Sequence, residues 1–244
     1  MKKLTVSDFI EKGDYLIYNK DKINIVFSTA KNNRSFNINT DDGIENLNSI
    51  KSDFDLEKVI YLKQIHSDIV YKYEKEDKEF INKEGDALIS NIQNTAIGVF
   101  TADCVPIIII DDNNNMAAIH SGWKGTYNSI VLRTLEMMKN EFNTNFNNVK
   151  VFIGPHIRQC CYEVSLELKE KFLKKTKINE DILFEERNLS LEECILKDIR
   201  SFNIKEDNIY TINLCTHCEE NIKLFSYRKS IGTYGRLFSF VFCK

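Results

Sequence analysis

Apolar residues in this chain fall into short runs more often than into long periodic stripes. Ile23–Ser28 and Val59–Leu62 alternate or run apolar with β-branched residues, which predicts strands. Asp86–Ser90, Thr95–Thr101, Val105–Asp111 and Met116–His120 follow at close spacing and predict four more. Asp111-Asp112-Asn113-Asn114-Asn115 reads as the turn between the last two. A helical period takes over from about Tyr127 to Phe142, where Ile130, Val131, Thr134, Leu135, Met138 and Phe142 share one face. Val149–Ile153 reads as a strand ending at Gly154-Pro155. Ser165 is a candidate N-cap for a second helix carrying Leu168, Phe172 and Leu173. A third helix is predicted from about Leu191 to Phe202, and strands near Ile209–Asn213, Leu224–Tyr227 and Leu237–Phe242 close the chain. The Asn-rich stretch Asn32–Ile50 reads as a long loop, and the mixed charge run Glu74–Glu79 as a solvated connection.

This mixture predicts an α/β fold with mixed or antiparallel strands. Strict β-α-β alternation is absent, which argues against a doubly wound sheet, and no Gly-rich phosphate loop occurs. A length of 244 residues suits one large domain or two small ones, and residues 1–244 are read as a single compact domain. Hydrophobic residues at 43% suffice for a substantial core. A net charge of −3 with scattered Lys and Arg leaves no footprint for nucleic acid or an anionic membrane. The longest apolar run, Val105–Ile110, falls far short of the roughly 18–20 residues that span a bilayer. The start, Met1-Lys2-Lys3-Leu4-Thr5, is not followed by an apolar core, so a cytoplasmic location is expected, with the seven Cys mostly reduced.

Three residues carry candidate metal chemistry: His66, Cys104 and His120. Two imidazoles and a thiolate are good zinc ligands, and three protein ligands leave a position open for water or substrate. Their separations are too long for a local finger motif, and each taken alone reads equally well as a structural His or a buried thiol. Asp103, adjacent to Cys104, and Asp86 are the carboxylates for proton transfer or for orienting a ligand. Cys104 and His120 could instead form a nucleophile–base pair without metal. Cys215-Thr216-His217-Cys218 has the spacing of half a metal site. Cys160, Cys161 and Cys194 could complete it, but no second Cys-x-x-Cys exists, and Cys160-Cys161 are read as packing residues. Trp123 is read as a loop anchor or a pocket wall, and His156 as a residue of the pocket mouth or surface.

Gln64-Ile65-His66-Ser67, Gly85-Asp86-Ala87-Leu88, Thr101-Ala102-Asp103-Cys104-Val105-Pro106, Ile119-His120-Ser121-Gly122-Trp123-Lys124-Gly125, Gly154-Pro155-His156-Ile157 and Cys161-Tyr162-Glu163-Val164 occur in that order. Phe225-Ser226-Tyr227-Arg228 through Gly235-Arg236 follow near the end. The series resembles the YfiH-like laccase-domain family over nearly the whole chain. The resemblance implies a compact α/β fold with mixed sheets sandwiched between helices and a zinc-type site at His66, Cys104 and His120. It also implies phosphorolysis of purine nucleosides (adenosine, inosine, methylthioadenosine), with adenosine deamination alongside. Catalytic roles then fall to Asp103, Cys104 and His120.

Older names for the family refer to a polyphenol oxidase or laccase, and another label concerns peptidoglycan editing, which an amidase would serve. Copper is therefore a possible metal, but four His in total are too few for a multicopper set. Expected partners are purine nucleosides and phosphate, handled by a monomer or weak homo-oligomer. Lys124, Arg228 and Arg236 are candidate phosphate contacts. One departure stands out: family members carry Thr-Arg followed by Gly-Gly after the first strand, where this chain has Thr29-Ala30. Arg34, four residues on, is the candidate replacement.

Overall fold

A computed structural model describes residues 1–75, 80–230 and 235–244. The far end of the 74–79 charge run and part of the segment joining Arg228 to Gly235 lie outside the described residues. In chain order the strands are β1 (Lys2–Leu4), β2 (Ile10–Lys12), β3 (Tyr15–Lys20), β4 (Ile23–Ser28), β5 (Lys58–Ile60), β6 (Val70–Lys72), β7 (Ala87–Ser90), β8 (Thr95–Thr101), β9 (Val105–Ile110), β10 (Met116–Ser121), β11 (Lys150–Ile153), β12 (Phe184–Glu185), β13 (Asn188–Leu189), β14 (Ile209–Ile212) and β15 (Leu237–Cys243). The helices are α1 (Asp41–Phe54), α2 (Trp123–Tyr127), α3 (Ile130–Phe142), α4 (Leu166–Thr176), α5 (Glu180–Leu183) and α6 (Leu191–Arg200).

Among the described residues, seven strands form one sheet in the order β1-β14-β11-β9-β10-β7-β6, and six form another in the order β2-β3-β4-β15-β8-β5. Both sheets mix parallel and antiparallel pairs. The period of two along a strand explains the layering. Ile107 and Ile109 of β9 face a cluster with Ile130, Leu135 and Met138 of α3 and Ile195 and Ile199 of α6. Ile108 and Ile110 face the second sheet, meeting Ile25, Phe27, Ile97 and Val241. The far side of that sheet, with Tyr15, Phe238, Phe240 and Phe242, is covered by Leu47, Ile50 and Phe54 of α1. The result is helix, sheet, sheet, helix. The four consecutive isoleucines of β9 are an apolar run because both faces of that strand are buried.

Two expectations need correction. The stretch 32–50 is not all loop, because α1 begins at Asp41. Thr40 caps it by accepting the Gly43 N–H at 3.2 Å, and Asp41 and Asp42 favour its N-terminus. The segment 224–227 forms no strand; it runs irregularly, tied to the loop at Ala30 through the Ala30 N–H to Lys223 carbonyl bond. The helix expected from about Tyr127 to Phe142 forms as α3 from Ile130, with Ser129 at φ 60° separating it from the short α2 before it. The turn at 111–115 forms as expected, with Asp111 accepting from the backbone of Asn113 and Asn115.

Candidate metal centre

Strand directions bring the proposed ligands together. β7 and β9 both run antiparallel to β10, so the start of each lies beside the end of β10. Asp86 precedes β7, Cys104 precedes β9 and His120 is the penultimate residue of β10. His66 arrives from the segment after β5. Its approach is fixed by Gln64, whose side chain accepts the Phe100 N–H at 2.7 Å and donates to the Phe100 carbonyl at 2.8 Å, mimicking a strand pair at the edge of β8.

Asp86 organises the site. It is fully buried, and its carboxylate accepts the backbone N–H groups of Ile65, His66 and Ser67 and the Ser67 hydroxyl. These bonds hold the turn in which His66 takes φ 58°. Asp86 also bonds His120 Nδ1 at 2.8 Å. Burial pushes the Asp86 carboxyl up, but the His120 and Ser67 contacts outweigh it and hold it below the usual range. A donor at Nδ1 leaves Nε2 of His120 as the ligand atom.

His66 Nε2 lies 3.7 Å from Cys104 Sγ, and the donor atoms of His66, Cys104 and His120 all fall within 4.8 Å of one another. The His66 and His120 rings meet edge to face at 4.8 Å. A tetrahedral zinc with ordinary Zn–S and Zn–N bonds sets sulfur and nitrogen about 3.6 Å apart. The donor set therefore fits that ion. Burial pushes the Cys104 thiol up, but His120 and His66 overcome this and bring it down to about 6. Burial pulls His120 down, while Cys104 and Asp86 raise it to about 9. The two form a thiolate–imidazolium pair when no metal is present. His120 is buried at 3% exposure, whereas His66 is exposed, so the group opens toward solvent on the His66 side. Gly122 closes the other side: a Cβ there would sit 2.9 Å from His66 Cδ2 and 3.0 Å from Cys104 Sγ.

The remaining candidates take varied places. Asp103, held at φ 92°, accepts the Thr216 hydroxyl at 2.6 Å and the Arg228 backbone N–H at 2.7 Å, so both carboxylate oxygens pin the late loops beside Cys104. Arg228 donates through Nη1 to the Glu163 carbonyl at 2.7 Å and lies over the Tyr162 ring. Tyr162 was not singled out by sequence reasoning. It is raised to about 12, by burial first and then by Cys104 nearby, and its only sequence signal was its place in Cys161-Tyr162-Glu163. Lys124 stacks its ammonium over Trp123, which is 37% exposed on α2 and so is not a buried anchor. The Arg236 N–H donates to Ser35 Oγ. Arg34 is drawn into a separate network, paired with Asp14 and Asp53, bonded to Asn46 and Ser49, and stacked over Tyr15 and Phe36. The structure does not bring it to the His66–Cys104–His120 group. Ala30 is fully buried. His156 is not a surface residue: it is buried, bonds the Gly154 carbonyl through Nδ1, lies 3.7 Å from Glu192 and lines a pocket with Arg158, Glu192 and Cys215, apart from the His66–Cys104–His120 group.

Residues 26–244 match the family model described as multi-copper polyphenol oxidoreductase laccase. The chain belongs to this family. Within the laccase family, a Clostridium acetobutylicum protein named purine nucleoside phosphorylase is 44% identical over 236 residues, covering 96% of this chain and 98% of its own length. A protein named adenosine deaminase, from an unknown prokaryotic organism, is 32% identical over 207 residues, covering 78% of this chain and 77% of itself. The crystal structure of Bacillus licheniformis YfiH superposes with a TM-score of 0.87 at 23% identity, over 97% of this chain and 99% of that one, a likeness of fold. The expected layering of mixed sheets between helices is thus the YfiH fold. The described residues of this laccase-family chain include no helix long and apolar enough to cross a membrane.

Proposed function

We propose that this protein is a cytoplasmic, zinc-dependent purine nucleoside phosphorylase that accepts adenosine, inosine and methylthioadenosine and also deaminates adenosine. The observation that carries this reading is the three-donor group of His66, Cys104 and His120, with its tautomer fixed by Asp86 and one side open. Relatives named purine nucleoside phosphorylase and adenosine deaminase support the two reactions. When bound, zinc supplies a Lewis acid and activates water near neutral pH.

The chain's own residues have separable tasks. Asp86 orients His120 and shapes the 65–67 turn, and so sets the position of two ligands at once. Asp103 holds Arg228 and Thr216 against the site. Proton transfer by Asp103 would require releasing one of those bonds, so its first task is to position the loop. Phosphorolysis needs phosphate held against the ribose C1′ and a hydrogen bond or proton for the departing base. Lys124, Arg228 and Arg236 are the cations assigned to phosphate. Arg34, whose guanidinium serves Asp14 and Asp53, is left out of that assignment.

The test is purified, zinc-loaded protein given inosine or adenosine with and without phosphate. Ribose 1-phosphate and free base should form only with phosphate, and adenosine should also yield inosine. No consumption under either condition removes the proposal.

A second reading has an observation of its own. The line Asp86–His120–Cys104, with the thiol near 6 and the imidazole near 9, is also the arrangement of a cysteine hydrolase or amidase, as the peptidoglycan-editing label suggests. Zinc occupancy separates the two, since a thiolate engaged by metal is not a free nucleophile. A multicopper oxidase is disfavoured by the donors: of four His, two belong to this site and His156 is taken up by Gly154 and Glu192.

A further inference from the structure

Cys160, Cys161, Cys215 and Cys218 bring four sulfur atoms within 4.8 Å of one another. The reading of Cys160-Cys161 as packing residues is therefore corrected, as Cys160 and Cys218 are exposed and Cys161 is half-buried. Cys194, the other candidate partner, lies apart in the α6 core. We propose that the four thiols form a second metal site, a tetrathiolate zinc centre that staples the chain leaving β11 to the chain leaving β14.

The fold explains how they meet. β11 and β14 are parallel neighbours, so their C-terminal exits emerge at the same end of the sheet. The exits are also zipped together: His156 bridges Cys215, the His156 N–H donates to the Leu214 carbonyl, and the Thr216 N–H donates to the His156 carbonyl at 3.0 Å. Cys160 and Cys161 follow on one exit, Cys215 and Cys218 on the other.

The geometry and chemistry suit zinc. Tetrahedral coordination with Zn–S bonds of about 2.3 Å sets the sulfurs about 3.8 Å apart. Cys160 Sγ and Cys218 Sγ are 3.8 Å apart. Cys215 Sγ receives the backbone N–H of Arg158 at 3.4 Å. An N–H donor aimed at this sulfur suits a thiolate, since a neutral thiol is a weak acceptor. Four protein ligands close the coordination sphere, which marks the site as structural rather than catalytic. Its effect reaches the first site through Thr216, next in the chain to Cys215, whose hydroxyl holds Asp103 beside Cys104. The inference does not depend on the reaction proposed above.

Metal counting on the full chain, purified under reducing conditions and equilibrated with zinc, tests it. Wild type should hold about two zinc ions per chain, C104S about one and C160S/C218S about one. Because the double variant could fail to fold, wild type and C104S carry the test as well. Cobalt in place of zinc should give C104S a strong sulfur-to-metal charge-transfer band of four-thiolate intensity. Alkylation mapping should find Cys160, Cys161, Cys215 and Cys218 protected in zinc-loaded protein and reactive after chelation. About one zinc in wild type, lost entirely in C104S, would overturn the proposal. Free alkylation of the four thiols in zinc-loaded protein, or a disulfide among them in reduced preparations, would do the same. None of these readouts depends on nucleoside turnover, so a failed phosphorylase assay leaves the metal count standing.

Discussion

His66, Cys104 and His120 offer a metal three donors, whereas Cys160, Cys161, Cys215 and Cys218 offer four. Both groups sit at the same end of the seven-stranded sheet, because β11 runs antiparallel to β9 and parallel to β14. They differ in what surrounds them. The first group is anchored by a buried carboxylate that collects five hydrogen bonds, from the 65–67 turn and from His120. Its ligands come from three separate segments and one face stays open. The second has the Arg158 backbone N–H on Cys215, and its four thiols would fill a tetrahedral ion's positions. One sheet end thus carries a site suited to chemistry beside a site suited to holding loops in place.

The comparison breaks most visibly at Cys104. Replacing it with Ala should empty the first site, leave the four-thiol site filled and lower kcat/KM for phosphorolysis roughly 10³-fold, the equivalent of several kcal/mol of Lewis-acid stabilisation. Metal analysis beside steady-state kinetics checks this. Asp86→Asn should be the next largest effect. Zinc affinity at the first site should fall about 10–100-fold, because the amide has no charge and only one acceptor oxygen for groups that now use two, His120 and the 65–67 turn. Chelator competition measures it, and unchanged affinity would mean that Asp86 does not orient the ligands.

The sequence makes these two groups unequally legible. Buried strands such as Val105–Ile110 are plain in the apolar runs, and α3 and α6 in their periodic faces. The helix α1 hid because its apolar residues Leu47, Ile50 and Phe54 are interspersed with Asp, Asn and Ser that suggested a loop. Strands β1 and β2, of three residues each, carry too few for a clear alternation, and the six-residue β3 opens on three consecutive buried residues instead of alternating. His66, Cys104 and His120 were found through their motif settings, since nothing in their spacing announces that β7, β9 and β10 share an end. The four-thiol group was only half visible. Cys215 and Cys218 have ligand spacing, but their partners depend on the parallel pairing of β11 with β14, a contact between segments far apart in the chain. The reading of Arg34 as a phosphate contact rested on its place four residues after Ala30, and its guanidinium is instead paired with Asp14 and Asp53.

Smaller effects sharpen the contrast. Gly122→Ala presses a methyl group against His66 and Cys104, which should cost about 1–3 kcal/mol and reduce zinc only at the first site. Thermal unfolding with metal analysis reads both. In metal-free protein, Cys104 alkylation should rise with pH through about 6, because the thiolate is the reactive form and His120 stabilises it. In His120→Asn the midpoint should move up toward the ordinary thiol range, followed by peptide mapping across pH. The smallest effect on turnover is expected at Arg34→Met. It should lower the unfolding midpoint by stranding the buried Asp14 carboxylate, while KM for phosphate stays within about twofold. A large rise in that KM would return Arg34 to the phosphate site.

The most direct test is ribose 1-phosphate formation from inosine and phosphate by the zinc-loaded protein, set beside its Cys104→Ala variant. Phosphate-dependent product from the wild type, falling about 10³-fold when the first site is emptied, is the expected result. Equal rates in the two proteins, or no product from a wild type shown to hold zinc, would contradict it.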